Sequence, residues 1–294
     1  MELRVLKYFL TVANEGNITR AAGLLHITQP TLSRQMIQLE EELGVKLLKR
    51  KGHHIYLTED GVLLKRRARE ITLLAEKTQK ELSHRESGIA GEISIGSGEF
   101  RSSRCLTELL AQFQAEHPLV RYEIYSGNTE NIKERIERGI LDLGLLMEPE
   151  DISKYDFVRL PQKEKWGILV KEDSPLAEKE SIRPEDLADI PLIMTRRESV
   201  KNELLHWFGK YAGRIEIMAG GNLLYNMASM ARSGIGTVVT PVLECAYEGL
   251  KYVPLTPELK SGTVLVWKKD QPFSSAAQAL IDFIRITCRE EKHF

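Results

Sequence analysis

Residues 17–43, NITRAAGLLHITQPTLSRQMIQLEEEL, constrain this chain more than any other stretch. Two short helical patterns flank a tight break. Asn17 stands where it can cap the first, and Ala21, Ala22 and Leu25 recur on one face at helical spacing. His26 falls where that helix must end and turn sharply. A left-handed backbone is expected there; Gly is the usual choice, and His tolerates it better than most residues. Ile27 then plugs the angle between the helices. Thr28 caps the second helix, with Pro30 in its first turn, where a missing N–H costs little. Leu32, Met36, Leu39 and Leu43 form its expected buried stripe.

The other faces of that helix carry Thr31, Arg34, Gln35 and Gln38, with Gln29 and Ser33 near its start. A helix N-terminus suits phosphate, and Arg and Gln can read guanine and adenine in a major groove. The pattern predicts a helix-turn-helix whose second helix is the recognition helix. An αα-hairpin with an ordinary polar face would show the same residue types.

Leu3, Leu6, Phe9, Leu10 and Ala13 predict an amphipathic helix ahead of this motif, stopped near Gly16. Behind it, VKLLKRKGHHIYLT reads as two strands joined by a basic turn. Such a hairpin is a wing, and Lys49, Arg50 and Lys51 place charge where a phosphate backbone would pass. Thr58 then caps a long helix in which Leu64, Ala68, Ile71, Ala75, Thr78 and Leu82 keep heptad spacing. Residues 58–88 therefore read as a dimerising linker, with a core helix of one larger domain as the alternative. The basic run at residues 65–69 suits either DNA or a solvated face.

Charge supports a division near residue 88. The chain of 294 residues has a formal net charge of −1. Residues 1–88 hold 15 Lys and Arg against 11 Asp and Glu, or +4, which leaves −5 for the remainder. A basic N-terminal module joined to an acidic body follows. Cys105, Cys245 and Cys288 are odd in number, widely spaced and without a CxxC pair, so neither a disulfide framework nor a zinc site is expected. Nowhere do 18 apolar residues run together, and no membrane span is expected.

From residue 91 onward strands and helices alternate. Ile93 and Ile95 mark a strand, Leu106, Leu109, Leu110 and Phe113 a helix, and Val120, Tyr122 and Ile124 a second strand. A helix to Arg138 and the strand LDLGLL complete a β-α-β-α-β unit, which implies parallel strands. The same order recurs from Leu192 through GIGTVVTP, and TVLVWK and a helix opened by Ser274 end the chain. Two similar α/β lobes imply a cleft walled by strand ends and helix N-termini. No Ser/His/Asp spacing, phosphate loop or metal-ligand cluster stands out, and four of the seven His lie in the first 88 residues. No catalytic residue, metal or cofactor is assigned.

Winged helix, heptad linker and two-lobed body together resemble the LysR-type transcriptional regulators. The resemblance covers essentially the whole chain. It is most specific in ANEGNITRAAGLLHITQPTLSRQMIQLEEELGVKLLKRKGHHIYLTEDG, and continues in HPLVRYEIYSGNTENIKERIERGILDLGLL and SGIGTVVTP. It implies a multidomain chain: an N-terminal all-α winged helix-turn-helix with a long linker helix, then a two-lobed α/β effector domain resembling periplasmic binding proteins. The implied bounds are 1–61 for the DNA-binding domain, 58–88 for the linker, 91–160 with 266–294 for one lobe, and 161–265 for the other. The family is cytoplasmic, usually a dimer of dimers, and takes a small-molecule inducer between its lobes. Expected partners are thus double-stranded DNA, an inducer, further copies of the chain and RNA polymerase, with no membrane.

By the same resemblance Gln29, Pro30, Thr31, Ser33 and Arg34 match the recognition run, with Arg50 and His53 near the wing; Gln38 and Lys49 join them from the charge and face pattern. Here His53 and His54 follow Gly52, where the family often has an Arg, so an Arg contact at the wing tip is not carried over. Ser97, Gly98, Ser102 and Asn128 match one lobe's inducer-facing loops, and residues 195–199 the other's, with Thr195, Arg196, Arg197 and Ser199 as the candidates. Ser103 and Thr129 lie in the same strand-to-helix loops. Hydroxyls, helix N-termini and a guanidinium converging on one space make a carboxylate or phosphate site, so a small anionic inducer is expected. The alternatives are that both Arg are solvated, or pair with Glu198 or Glu203; that the cleft is vestigial on a constitutive regulator; or that the body is an enzyme.

Overall fold

A computed structural model of the chain describes residues 1–51, 54–83, 89–195 and 197–290, the side chains of residues 50, 51, 80–83, 289 and 290 excepted. The chain divides into two compact units, Met1–His84 and Arg85–Phe294.

In the N-terminal unit, α1 (Leu3–Glu15) ends on Gly16 at φ 59°. Asn17 caps α2 (Ile18–Leu24), accepting from the N–H groups of Thr19 and Arg20. His26 turns the chain at φ 54°, in the left-handed region. Thr28 caps α3 (Gln29–Leu43), with Pro30 in its first turn. The hairpin of β1 (Leu48–Lys51) and β2 (His54–Leu57) follows, then α4 (Glu59–Ser83). Leu6, Phe9 and Val12 of α1 meet Ala21 and Ala22 of α2, Leu32, Met36 and Leu39 of α3, and Ala68 of α4 in one core.

Two expectations shift. Leu43 is 37% exposed, and the buried residue at that end of α3 is Glu40. The heptad seam of α4 is also partly spent inside its own unit. Ala68 is fully buried and Leu64 packs beside it, whereas Ile71 is 41% exposed and Thr78 is exposed; the Leu82 side chain lies outside the described residues. The reason is small residues. Gly61 lies so close to Leu47 that a Cβ there would stand 2.1 Å from the Leu47 carbonyl oxygen, so only glycine permits this approach.

The C-terminal unit holds two sheets. The first takes β3 (Gly91–Ser97), β4 (Val120–Ser126), β5 (Leu143–Met147), β6 (Tyr155–Arg159) and, from the far end of the chain, β13 (Thr263–Lys268). Its order is β4-β3-β5-β13-β6, with β3 parallel to both its neighbours and β13 antiparallel to both of its own. The second takes β7 (Glu164–Lys171), β8 (Pro191–Thr195), β9 (Glu216–Gly221), β10 (Thr237–Pro241) and β11 (Leu250–Pro254), ordered β11-β7-β10-β8-β9, with β12 (Lys260–Ser261) paired to β7. The parallel triplets β4-β3-β5 and β9-β8-β10 repeat one arrangement. Helices α5 (Ser103–Glu116) and α6 (Thr129–Glu137) cross over in the first lobe, α7 (Glu198–Phe208) and α8 (Leu224–Arg232) in the second, and α9 (Ser275–Glu290) packs its apolar face back on the first. The chain re-enters the first sheet at Thr263 rather than at 266, because β13 pairs with β5 from that residue on.

Candidate functional site

One candidate surface is the outer side of α3. Thr31, Arg34 and Gln38 are exposed at i, i+3 and i+7 and share a face, opposite buried Leu32, Met36 and Leu39. Pro30 is exposed at the helix start, while Gln29 and Ser33 are half-buried. The Thr31 hydroxyl lies 2.8 Å from that of Thr28, so part of its bonding capacity serves the cap. On the hairpin, Lys49 is exposed and pairs across the ladder with Tyr56. The Arg50 side chain and all of His53 lie outside the described residues.

Glu40, which no sequence pattern singles out, ties this helix to the hairpin. Its carboxylate accepts from Lys46 Nζ at 2.6 Å and from the N–H groups of Leu47 and Leu48 at 2.9 and 3.0 Å. Burial pushes its carboxyl up, but the Lys46 ammonium and the two backbone donors outweigh that and hold it below the ordinary carboxylate value.

The second candidate site is a cleft of about 750 Å³ between the lobes, part of it open to solvent. Of the expected residues, Gly98, Asn128, Thr129, Thr195 and Arg197 line it. Asn128 also caps α6 through the Asn131 N–H. Ser97, Ser102, Ser103 and Ser199 are not among its lining. The Ser97 hydroxyl turns back to the Gly98 carbonyl, and that of Ser103 lies 3.4 Å from it. Ser102 is fully buried, its hydroxyl without a hydrogen-bond partner among the described residues. Arg196 lies outside the described residues. The lining also includes Glu99, Phe100, Trp166, Asn222, Met227 and Thr240. None of these carries a signal: they are single residues scattered over loops, strands and a helix, and only folding converges them.

Arg197 lines the cleft with its guanidinium already engaged. Its Nη2 donates to the carbonyls of Met147 and Pro149, both at 2.7 Å, and to the Glu150 carboxylate at 2.8 Å. Its partner is thus neither Glu198 nor Glu203 but a carboxylate of the opposite lobe, which also accepts from Lys133 Nζ at 2.8 Å. The residue joins the lobes. Three other contacts do the same. Glu164, fully buried at the start of β7, accepts from the N–H groups of Arg101 and Ser102, both at 2.9 Å. Glu99 accepts from the Leu224 N–H at 2.8 Å. Glu244 takes Arg101 at 2.7 Å and Arg104 at 3.4 Å, and these hydrogen bonds hold its carboxyl below the ordinary range.

Near the chain crossings, Trp166 Nε1 donates to Ser261 Oγ at 2.9 Å, which faces Glu203 at 3.4 Å. Burial pushes the Glu203 carboxyl up. Among the described residues no three His, Cys, Asp or Glu side chains converge to hold a metal ion, and no helix is long and apolar enough to cross a membrane.

Comparison with known proteins assigns both parts of the chain to a family. Residues 3–62 match the profile of the bacterial regulatory helix-turn-helix protein, lysR family, and residues 86–289 that of the LysR substrate binding domain. The HTH-type transcriptional regulator AlsR of Bacillus subtilis is 29% identical over 92% of this chain and 91% of its own. The DNA-binding transcriptional dual regulator OxyR of Escherichia coli is 27% identical over 100% of this chain and 97% of its own. The crystal structure of CbnR, a LysR family transcriptional regulator, covers 98% of this chain and 99% of its own at a TM-score of 0.81; at 24% identity this is a likeness of fold. With one profile on the helix-turn-helix and the other across the two-lobed body, the chain belongs to the LysR family, as a DNA-binding transcriptional regulator with an effector-binding domain.

Proposed function

We propose that the exposed face of α3 enters a DNA major groove and that a small molecule in the interlobe cleft sets the affinity or register of that binding. The observation that carries the reading is the polar side chains Thr31, Arg34 and Gln38 standing outward on a helix whose other side is fully buried. Arg34 and Gln38 supply base-edge donors, Lys49 and the start of α3 supply phosphate contacts. CbnR, of the same fold, is known in a complex with its target DNA.

The working unit in this reading is an oligomer built on α4, where Val62, Leu63, Leu73 and Leu74 are exposed. It acts in the cytoplasm, where its DNA is, and RNA polymerase is the partner through which it changes transcription. The four contacts that already close the lobes favour one second reading, a constitutive regulator that needs no effector.

In vitro selection of duplex DNA by the purified full-length protein should enrich a partly symmetric site. Failure to enrich any site would overturn the DNA-reading assignment. A panel of metabolites screened by thermal shift, then on DNA occupancy, separates the two readings. Stabilising ligands that change occupancy support the effector-controlled form. A panel without effect on either supports the constitutive one.

A further inference from the structure

Two helix starts beside the cleft already hold a carboxylate of this chain. Glu164 occupies the N–H groups of Arg101 and Ser102 just ahead of α5, and Glu99 occupies the Leu224 N–H where α8 begins. Partly positive helix ends are where an anion from solution would bind. Here the chain supplies both anions itself.

The remaining charges point the same way. Among the described residues lining the cleft, Arg197 is the one basic side chain, and it is paired with Glu150. Glu150 also accepts from Lys133, which Asp151 faces in turn, so two cations already meet two carboxylates and a further carboxylate would leave the group net negative. The Arg197 Nε is nevertheless buried without a hydrogen-bond partner among the described residues, a donor that a neutral oxygen would satisfy. Glu99 is the one acidic lining residue, exposed and with one oxygen committed to Leu224. Between these groups the wall is apolar, with Phe100, Trp166 and Met227, or carries neutral amides at Asn128 and Asn222.

We infer that the cleft takes a small ligand with an apolar body and no net negative charge, presenting an N–H or ammonium group to Glu99 and a neutral carbonyl or hydroxyl to Arg197. The inference rests on the cleft being the effector site. It replaces the anionic ligand that two adjacent arginines in the sequence implied.

The test is a fragment panel in which each apolar core is supplied as acid, amide and amine, for example 3-phenylpropionate, 3-phenylpropionamide and 3-phenylpropylamine. Binding to the full-length protein is measured by calorimetry and saturation-transfer NMR. Amides or amines should bind at least about tenfold more tightly than their acids, which corresponds to about 1.4 kcal/mol. In Glu99→Gln, which keeps an acceptor for Leu224, the advantage of amine over amide should fall by a similar factor while amide binding holds. Acids that bind most tightly, no preference within the sets, or no binding by any member would each overturn the inference. DNA occupancy is read on the same samples. A bound amide or amine that leaves occupancy unchanged supports the ligand class and defeats the effector role. A bound acid that changes occupancy keeps the effector role and overturns the ligand class.

Discussion

On α3 the polar side chains divide by where their hydrogen bonds go. Arg34 and Gln38 point away from the core, and Glu40 points into the junction with the hairpin. The consequences differ in kind. Arg34→Ala should weaken binding to the selected site by about 1–3 kcal/mol if the guanidinium contacts a base, with little change on random DNA. A uniform loss with a shallower salt dependence would reassign it to phosphate. Unchanged affinity in a folded variant would remove this face from the interface. Glu40→Ala should instead loosen the hairpin, because Leu47 and Leu48 lose a charged acceptor. A cost of about 3 kcal/mol is expected, read as faster hydrogen exchange at those two amides. The native carboxyl lies below the ordinary value of 4.5. Its contribution is therefore present above that value and lost as pH falls through the lower native one. Protection of the Leu47 and Leu48 amides, the exchange rate taken relative to its intrinsic value at each pH, should fall on acidification through that window in wild type, and much less in the variant. An equal pH response in both would show that the carboxylate does not hold the hairpin.

Among the elements, α4 is where pattern and packing diverge most usefully. Leu64 and Ala68 face the unit's own core, while Ile71 and Leu74 stay exposed beside Leu73. Ile71→Asp is consequently a clean probe, since the folded chain does not bury that position deeply. If α4 joins two chains, the variant should sediment as a smaller species with an unchanged circular dichroism spectrum; a wild-type sedimentation profile would place the oligomer interface elsewhere. The helix-turn-helix was legible because each of its constraints is local: Asn17 and Thr28 as caps, His26 as the turn, a 3.6-residue stripe between them. The parallel triplets were legible for a similar reason, in alternating runs such as Ile93 and Ile95. The antiparallel strands β6, β7 and β11 leave no such mark in the sequence. β7 is a nearly continuous apolar run with no alternation to set it apart, and its partners β10, β11 and β12 lie far along the chain. For the same reason Glu164 was invisible. A lone acid at the head of an apolar strand acquires meaning only when α5 is brought to it, and Leu43 and Glu40 exchange burial only once the hairpin returns its N–H groups.

Across the whole molecule, one detail of strand order reaches beyond the folded state. β13 lies between β5 and β6 in the first sheet, and β6 has no other neighbour there among the described residues. The second sheet, by contrast, holds all its strands by Ser261. As the chain leaves the ribosome, the lobe encoded second can therefore finish first, and the lobe encoded first waits with two unpaired strand edges for residues 263–268. Nascent chains stalled just before β13 emerges should show a protease-resistant second lobe and a sensitive first one, with resistance of the first appearing only once those residues and the α9 that packs on them are free; earlier protection would mean that β5 and β6 find another arrangement. A late stop codon or a frameshift near the 3′ end of the reading frame would then leave not a shortened sensor but an open sheet edge, the kind of surface that quality-control proteases and aggregation compete for.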